Sequence, residues 1–112
     1  MEINQFQEPG YITLQPVGDL DAQSSMEMDS CIRKCIDEKH INFHIDGSKL
    51  EYISSAGLGV FISYLDDLNT QGGQLVFSNL SEEVNDVFEL LGLSRLVKIV
   101  NKAEAAGPLF QS

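Results

Sequence analysis

The sequence is poor in positive charge, and this limits its partners. Its 112 residues include seven Lys and Arg against seventeen Asp and Glu, which gives a formal net charge of −10. Phosphate backbones and anionic lipid headgroups would repel such a chain. We therefore expect neither nucleic acid nor a membrane surface as a partner, whereas a protein with basic patches would fit.

Long apolar runs are also missing. The longest extends from Leu58 to Ile62 and is interrupted by Gly59, far short of the roughly 20 residues that a membrane helix needs. The opening Met1-Glu2-Ile3-Asn4 does not resemble a secretory signal. We expect a cytoplasmic protein with no membrane insertion.

Cysteine is scarce, and its placement argues against a metal or redox site. Cys31 and Cys35 stand four apart, on one face of a predicted helix. His40 and His44 fall at opposite ends of a predicted strand and do not cluster with them. The spacing also lacks the two-residue gap of a thioredoxin-type motif. We interpret both cysteines as small apolar residues on a buried face, and expect no metal or cofactor.

What is present is typical of a folded domain. The apolar fraction is 43% and the charged fraction 21%, as in ordinary globular proteins. At this length the chain can bury about two-thirds of its surface as one unit. We expect one domain over residues 1–112.

The hydrophobic pattern alternates between strand and helix periods. An opening hairpin turns at Glu8-Pro9-Gly10, with Pro16 suited to a sheet edge or strand end. Next come a helix from Ala22, a strand at 41–46, a central strand-to-helix turn, a strand at 74–78, a helix capped by Ser81 and a last strand at 96–100. The predicted fold is α/β, with a mixed, mostly parallel sheet.

The central turn is the stretch from Tyr52 to Phe61, where a strand-like run gives way to a helix. Ser54 and Ser55 precede the first free N–H groups of that helix, which favour an anion. The simpler interpretation is that one serine only caps the helix. From the residues alone both remain open.

The flanking residues resemble the STAS domain of the anti-sigma factor antagonist type. That family has a strand, a loop of the form Asp-Ser-(Ser or Thr)-Gly and a helix opening Leu-Gly-Val. Here the loop is Ser54-Ser55-Ala56-Gly57, followed by Leu58-Gly59-Val60, so Ser54 stands at the aspartate position and Ala56 at the second hydroxyl. Further similarities are Gly18-Asp19-Leu20-Asp21, the run 71–76 and Leu91-Gly92-Leu93.

The resemblance implies the same fold with helices mainly on one face, and a non-enzymatic phospho-switch in bacterial transcription control. The unmodified domain would bind a kinase-type anti-sigma factor and free a sigma factor. Phosphorylation of Ser55 by this serine protein kinase would block binding, and a serine phosphatase would reverse it. Since parallel strands end at one edge of a sheet, we expect one partner-binding surface made of Asp19, Asp21, Ser54, Ala56, Gly57, Asn79 and Leu80.

Two parts of this surface carry a specific expectation. Gly57 is predicted to admit a partner closely, so that a bulky replacement would harm binding more than stability. The carboxylates of Asp19 and Asp21 are predicted to help reject the partner once Ser55 carries phosphate. The alternative for Asp21 is that it only caps the first helix.

Two other functional classes remain open. A STAS-like domain can also be an accessory subunit of a lipid or anion transporter. An enzyme with Ser55 as nucleophile is disfavoured, because Gly-x-Ser-x-Gly and the phosphate-binding Gly-rich loop are both absent from the sequence. His44 we interpret as structural, since no nucleophile is evident beside it in the sequence.

Overall fold

A computed structural model describes residues 1–110 and shows the predicted α/β fold. The strands are β1 (Glu2–Glu8), β2 (Tyr11–Leu20), β3 (Asn42–Asp46), β4 (Leu50–Ile53), β5 (Gln74–Ser78) and β6 (Lys98–Val100). The helices are α1 (Ser24–Asp37), α2 (Ser55–Thr70) and α3 (Glu82–Leu90). Short 3₁₀ turns at Leu93–Arg95, Ala103–Ala105 and Gly107–Phe110 complete the described chain.

The sheet order is β1-β2-β3-β5-β6, with β4 beside the second half of β2. Only the β1–β2 hairpin is antiparallel among these strand pairs. β2 pairs with β3 as far as Leu14, and after an irregularity between Gly18 and Asp19 it pairs with β4. The predicted hairpin and parallel sheet are confirmed.

Pro16 lies where β2 changes partners, and this corrects its expected place at a sheet edge or strand end. On one side Pro16 is opposite Ile3 of β1. On the other side it falls between Leu14, the last residue paired with β3, and Gly18, the first paired with β4. A residue without an N–H is tolerated in the interior of the sheet because this gap needs no ladder donor.

The main core lies between the sheet and the three helices. Alternate strand residues such as Phe43, Ile45 and Phe77 are fully buried there. The ring of Phe77 makes edge contacts with Phe61 of α2 and Phe88 of α3, at 5.0 Å between centroids in each case. One buried layer thus holds the helices on one face of the sheet, as predicted.

Three residues of α2 and α3 do not follow the apolar pattern of these helices. Ile62, at helical spacing from Leu58 and Leu65, is 42% exposed, and Tyr64 is buried in α2 instead. The Tyr64 hydroxyl bonds to the Asp29 side chain on α1, and this partner lets a tyrosine be buried. Leu91 is 55% exposed because α3 ends at Leu90.

The two cysteines have the structural place that the sequence suggested. Cys35 is buried in the core and Cys31 is half-buried beside it. Burial, with help from Cys31 and Glu38, raises the pKa of the Cys35 thiol to about 11. The reactive thiolate is therefore scarce at neutral pH.

Candidate functional site

The central turn is tied to the end of β2 by Ser54. Its N–H and its hydroxyl both donate to the Leu20 carbonyl, at 2.9 and 3.1 Å. The same hydroxyl oxygen accepts from the Gly57 N–H at 3.1 Å, so Ser54 is the N-cap of α2. A short hydroxyl at this position thus satisfies a helix N–H and fixes the turn to the sheet.

Ser55 is the first residue of α2 and its side chain is exposed. None of the hydrogen bonds found within residues 1–110 uses its hydroxyl. Capping by Ser54 already satisfies Gly57, and Leu58 donates to the Ser54 carbonyl. The Ser55 hydroxyl is therefore open to solvent at the positive end of a four-turn helix.

Gly57 is buried, and its reason for being glycine is internal. A Cβ at this position would lie 2.9 Å from both the carbonyl oxygen and the Cγ of Leu20. The expectation that a bulky residue would harm binding more than stability assumed an open position, whereas a side chain here would push α2 away from β2. Gly59, by contrast, is exposed, and a Cβ placed on it would have no atom within 4 Å.

Asp21 caps α1. Its carboxylate accepts from the N–H groups of Gln23 and Ser24 at 3.0 and 2.9 Å, while the Ser24 hydroxyl oxygen accepts from the Asp21 N–H at 2.9 Å. This reciprocal pair is a capping box that begins before the first regular helical residue. Hydrogen bonds from Ser24 hold the pKa of the Asp21 carboxyl below its ordinary value. Capping, the alternative for Asp21, is thus present in the structure.

Asp19 and Asp21 flank Leu20, whose carbonyl accepts the two hydrogen bonds from Ser54. Both are exposed, and both line a shallow cavity with Ser24 and Glu27. One carboxylate therefore precedes and one follows the residue to which Ser54 is hydrogen-bonded. The Asp21 carboxylate keeps its negative charge while it caps α1, because the capping bonds lower its pKa.

Asn79 and Leu80 follow β5, and their close contacts are with the end of β3. Asn79 has a φ of 55°, and its amide donates to the Asp46 carboxylate at 3.2 Å. Leu80 packs so closely on Gly47 that a Cβ there would lie 2.6 Å from its Cδ2 atom. These two predicted site residues are therefore joined to Asp46 and Gly47, whereas Ser54 and Gly57 are joined to Leu20.

Asp46 is a residue of this region that the sequence reasoning missed. Its carboxylate also accepts from the Gln15 amide and the Ser48 N–H, each at 3.0 Å. Burial alone would raise the pKa of the Asp46 carboxyl, but hydrogen bonds from Ser48, Asn79 and Gln15 outweigh it and lower the pKa. Its position at the carboxyl end of β3 was the available signal.

His44 lies on the sheet face opposite the helices. Its Nδ1 atom is 2.9 Å from the Thr13 hydroxyl and its Nε2 atom is 2.6 Å from the Ser78 hydroxyl. Ser78 is thus a hydroxyl beside His44 that the sequence reasoning did not identify. Because Ser78 is completely buried, this pair does not reach a substrate and links two strands. Burial lowers the pKa of His44.

Two structural facts bear on metal binding and on membrane insertion. Within residues 1–110, no three His, Cys, Asp or Glu side chains are grouped so that they could bind a metal ion. No helix of that range is long and apolar enough to span a membrane.

Comparison with known proteins gives consistent matches. The STAS domain family model matches residues 2–106. The anti-sigma-B factor antagonist of Listeria monocytogenes is 29% identical over 91 residues, which are 81% of this chain and 80% of that protein.

Solved structures show the same fold. A crystal structure from Thermotoga maritima, of a candidate anti-sigma factor antagonist, has a TM-score of 0.92 at 21% identity, covering 98% of this chain and 95% of that one. The Bacillus cell fate determinant SpoIIAA in its phosphorylated form has a TM-score of 0.74 at 17% identity, covering 96% and 99%.

Proposed function

Because the chain belongs to the STAS domain family, we propose that it is an anti-sigma factor antagonist controlled by phosphorylation of Ser55. The relatives named above support the first part of this proposal. The different positions of the two adjacent serines support phosphorylation of Ser55, since Ser54 caps α2 and Ser55 has an exposed hydroxyl. A phosphorylated form is known for the SpoIIAA relative.

In this proposal the unmodified domain binds a kinase-type anti-sigma factor in the cytoplasm and so frees a sigma factor. Ser54, Ala56 and the carboxylates of Asp19 and Asp21 would form, with Ser55, the near part of the binding surface. Asn79 and Leu80 would form its far part. A serine phosphatase would return the phosphorylated domain to the binding form.

Phosphorylation would act on association more than on folding. A phosphate on Ser55 brings about −1.5 to −2 charges to a helix N-terminus, where N–H groups and the helix dipole tolerate it. A partner that packs against the same turn would have to desolvate that group, at a large cost in binding free energy. The carboxylates of Asp19 and Asp21 would add to this rejection, because the interface would have to accommodate further negative charge beside the phosphate.

Serine at the position of the family's aspartate is compatible with this proposal. Aspartate and serine are both good N-caps, and Ser54 makes the capping bond to Gly57. The substitution therefore keeps the geometry of the turn and removes one negative charge beside Ser55. The transporter-subunit alternative gains no support from the named relatives, two of which are described as anti-sigma factor antagonists.

The decisive experiment uses the kinase-type anti-sigma factor encoded in the same genome. We expect intact-mass analysis after incubation with ATP to show one added phosphate, and peptide mapping to place it on Ser55. The phosphorylated protein should lose affinity for that factor while keeping its circular dichroism spectrum. Phosphate on another residue, or equal affinity of both forms, would contradict the proposal.

A further inference from the structure

A groove runs between β4 and the start of α3, next to the central turn. Its lining is largely apolar, with Ile53 and Val84 at the bottom and Tyr52 and Val87 along the walls. Tyr52 is 53% exposed, although its ring is large and apolar. The groove measures about 210 Å³, which is room for aliphatic side chains of another molecule.

Carboxylates surround this apolar surface. Glu51 and Glu83 line the groove itself, and both also line an adjoining wider cleft of about 680 Å³ together with Glu82 and Asp86. Among the lining residues of the described chain there is no Lys, Arg or His. We call the two connected clefts the acidic groove.

We propose that the acidic groove binds a short basic amphipathic helix of the partner protein. Aliphatic side chains of such a helix would fill the space over Val84 and Val87, and flanking Lys or Arg would pair with the carboxylates. Charge complementarity selects this occupant, since a second copy of a chain with net charge −10 would bring like charges together. An anionic or purely apolar segment would leave four carboxylates unpaired.

The position of the acidic groove gives it a role in the switch. Ile53 at its bottom directly precedes Ser54, so a helix bound there would hold the rest of the partner beside Ser55. The identity of the partner as an anti-sigma factor rests on the proposed function. The groove and its ligand chemistry do not, because their test uses neither the kinase nor phosphate.

The test uses two synthetic peptides of about 14 residues, close to four helical turns. Both carry Leu at positions i, i+3, i+4 and i+7, and the other positions are Lys in one and Glu in the other. Each is titrated into the unmodified protein and followed by amide chemical shifts. We expect the Lys peptide to cause its largest amide shifts at residues 51–53 and 83–87, and the Glu peptide to cause no saturable shifts.

Charge-matched variants separate this site from general attraction to an acidic protein. Glu51→Lys/Asp86→Lys should weaken binding of the Lys peptide by about tenfold or more, since two of the four carboxylates are reversed. Asp66→Lys/Asp67→Lys changes the net charge equally on exposed positions of α2 and should change affinity less than about twofold, because neither residue lines the groove. Tyr52→Ser should weaken binding without any change in charge.

Several outcomes would overturn the proposal. These are equal losses in the two double variants, shifts spread over α1 and α2, saturable binding of the Glu peptide, or an unchanged affinity in Tyr52→Ser. Dispersed amide spectra of each free variant establish that it is folded. If Glu51→Lys/Asp86→Lys does not fold, the Tyr52→Ser variant and the peptide pair still decide the question.

Discussion

The carbonyl of Leu20 accepts two hydrogen bonds from Ser54, one from its N–H and one from its hydroxyl. These hydrogen bonds join the last residue of β2 to the N-cap of α2, and Gly57 packs directly on the same carbonyl. The orientation of the turn that presents Ser55 is therefore set by the last residue of β2.

Replacing Gly57 by Ala should destabilise the fold by about 1–3 kcal/mol, the usual cost of forcing a methyl group into a packed contact. The physical cause is the Leu20 carbonyl, 2.9 Å from the new Cβ. Urea unfolding measures the change. Gly59→Ala is the matched control, since nothing lies within 4 Å of its Cβ position, and it should be neutral or stabilise the helix by up to about 1 kcal/mol. A stable Gly57→Ala protein would show that α2 is not held by this contact.

Substitutions of the two serines should affect different properties, Ser54 the stability of the fold and Ser55 its phosphorylation. Ser54→Ala removes the N-cap and should lower the free energy of unfolding by about 1 kcal/mol, while leaving Ser55 available to the kinase. Ser55→Ala should leave stability nearly unchanged, because its hydroxyl is exposed, and should abolish phosphorylation. Thermal melting and phosphate incorporation measured on both variants check the pair. Phosphorylation that persists in Ser55→Ala would move the acceptor to another residue.

Asp21 should contribute to stability through its cap. Asp21→Ala should lower the melting temperature by about 2–8 °C, whereas Asp19→Ala, which removes an exposed carboxylate that has no capping bond among those described, should lower it much less. The pKa of Asp21 is depressed in the folded state, so its contribution is complete above the unfolded pKa of about 3.9 and is lost as pH falls from there through the folded value. The difference in melting temperature between the wild type and Asp21→Ala should therefore be constant down to about pH 4 and begin to narrow below it.

In the proposed switch, the carboxylates of Asp19 and Asp21 should also affect how much phosphorylation lowers the affinity for the partner. Neutralising both as Asp19→Asn/Asp21→Asn should narrow the affinity ratio between unmodified and phosphorylated protein by about five- to thirtyfold. High salt should reproduce part of this change. Titration of both forms against the kinase partner gives the ratio. A lowered melting temperature with an unchanged ratio would leave Asp21 with its capping role alone.

His44 should make the fold less stable in mild acid. Burial lowers its pKa in the folded state, so the unfolded chain takes up the proton first as pH falls below about 6.5. Stability is therefore complete above that pH and decreases as pH falls toward the folded pKa. Urea unfolding at pH 7.5 and pH 5.5 should show the loss, and His44→Gln should reduce the difference. An equal pH dependence in the variant would assign it to other groups.

The sequence was sufficient for those features that depend on local pattern. The strand at 41–46, the central strand-to-helix turn and the helix capped by Ser81 were predicted correctly. Features that depend on three-dimensional contact were missed. The change of strand partner at Pro16 depends on where β3 ends and β4 begins, and the need for glycine at 57 depends on the position of Leu20.

The helical stripes show the same limit. Ile62 is more apolar than Tyr64, yet Tyr64 is the buried residue, because Asp29 on another helix accepts a hydrogen bond from its hydroxyl. Asp46 was overlooked because two of its hydrogen-bond donors, Gln15 and Asn79, are distant from it in the sequence. A pattern along one segment carries no information about such partners.

The division of β2 between two neighbouring strands also has a consequence for local opening. In the described chain β4 is paired with β2 alone, through Gly18, Asp19 and Leu20, whereas β3 has a strand on each side. Amide protons of β4 should therefore exchange with deuterium well before those of β3, through an opening that leaves the rest of the sheet intact. Such an opening would release Ser54 from Leu20 and give an enzyme transient access to the backbone around Ser55 at a fraction of the free energy of global unfolding.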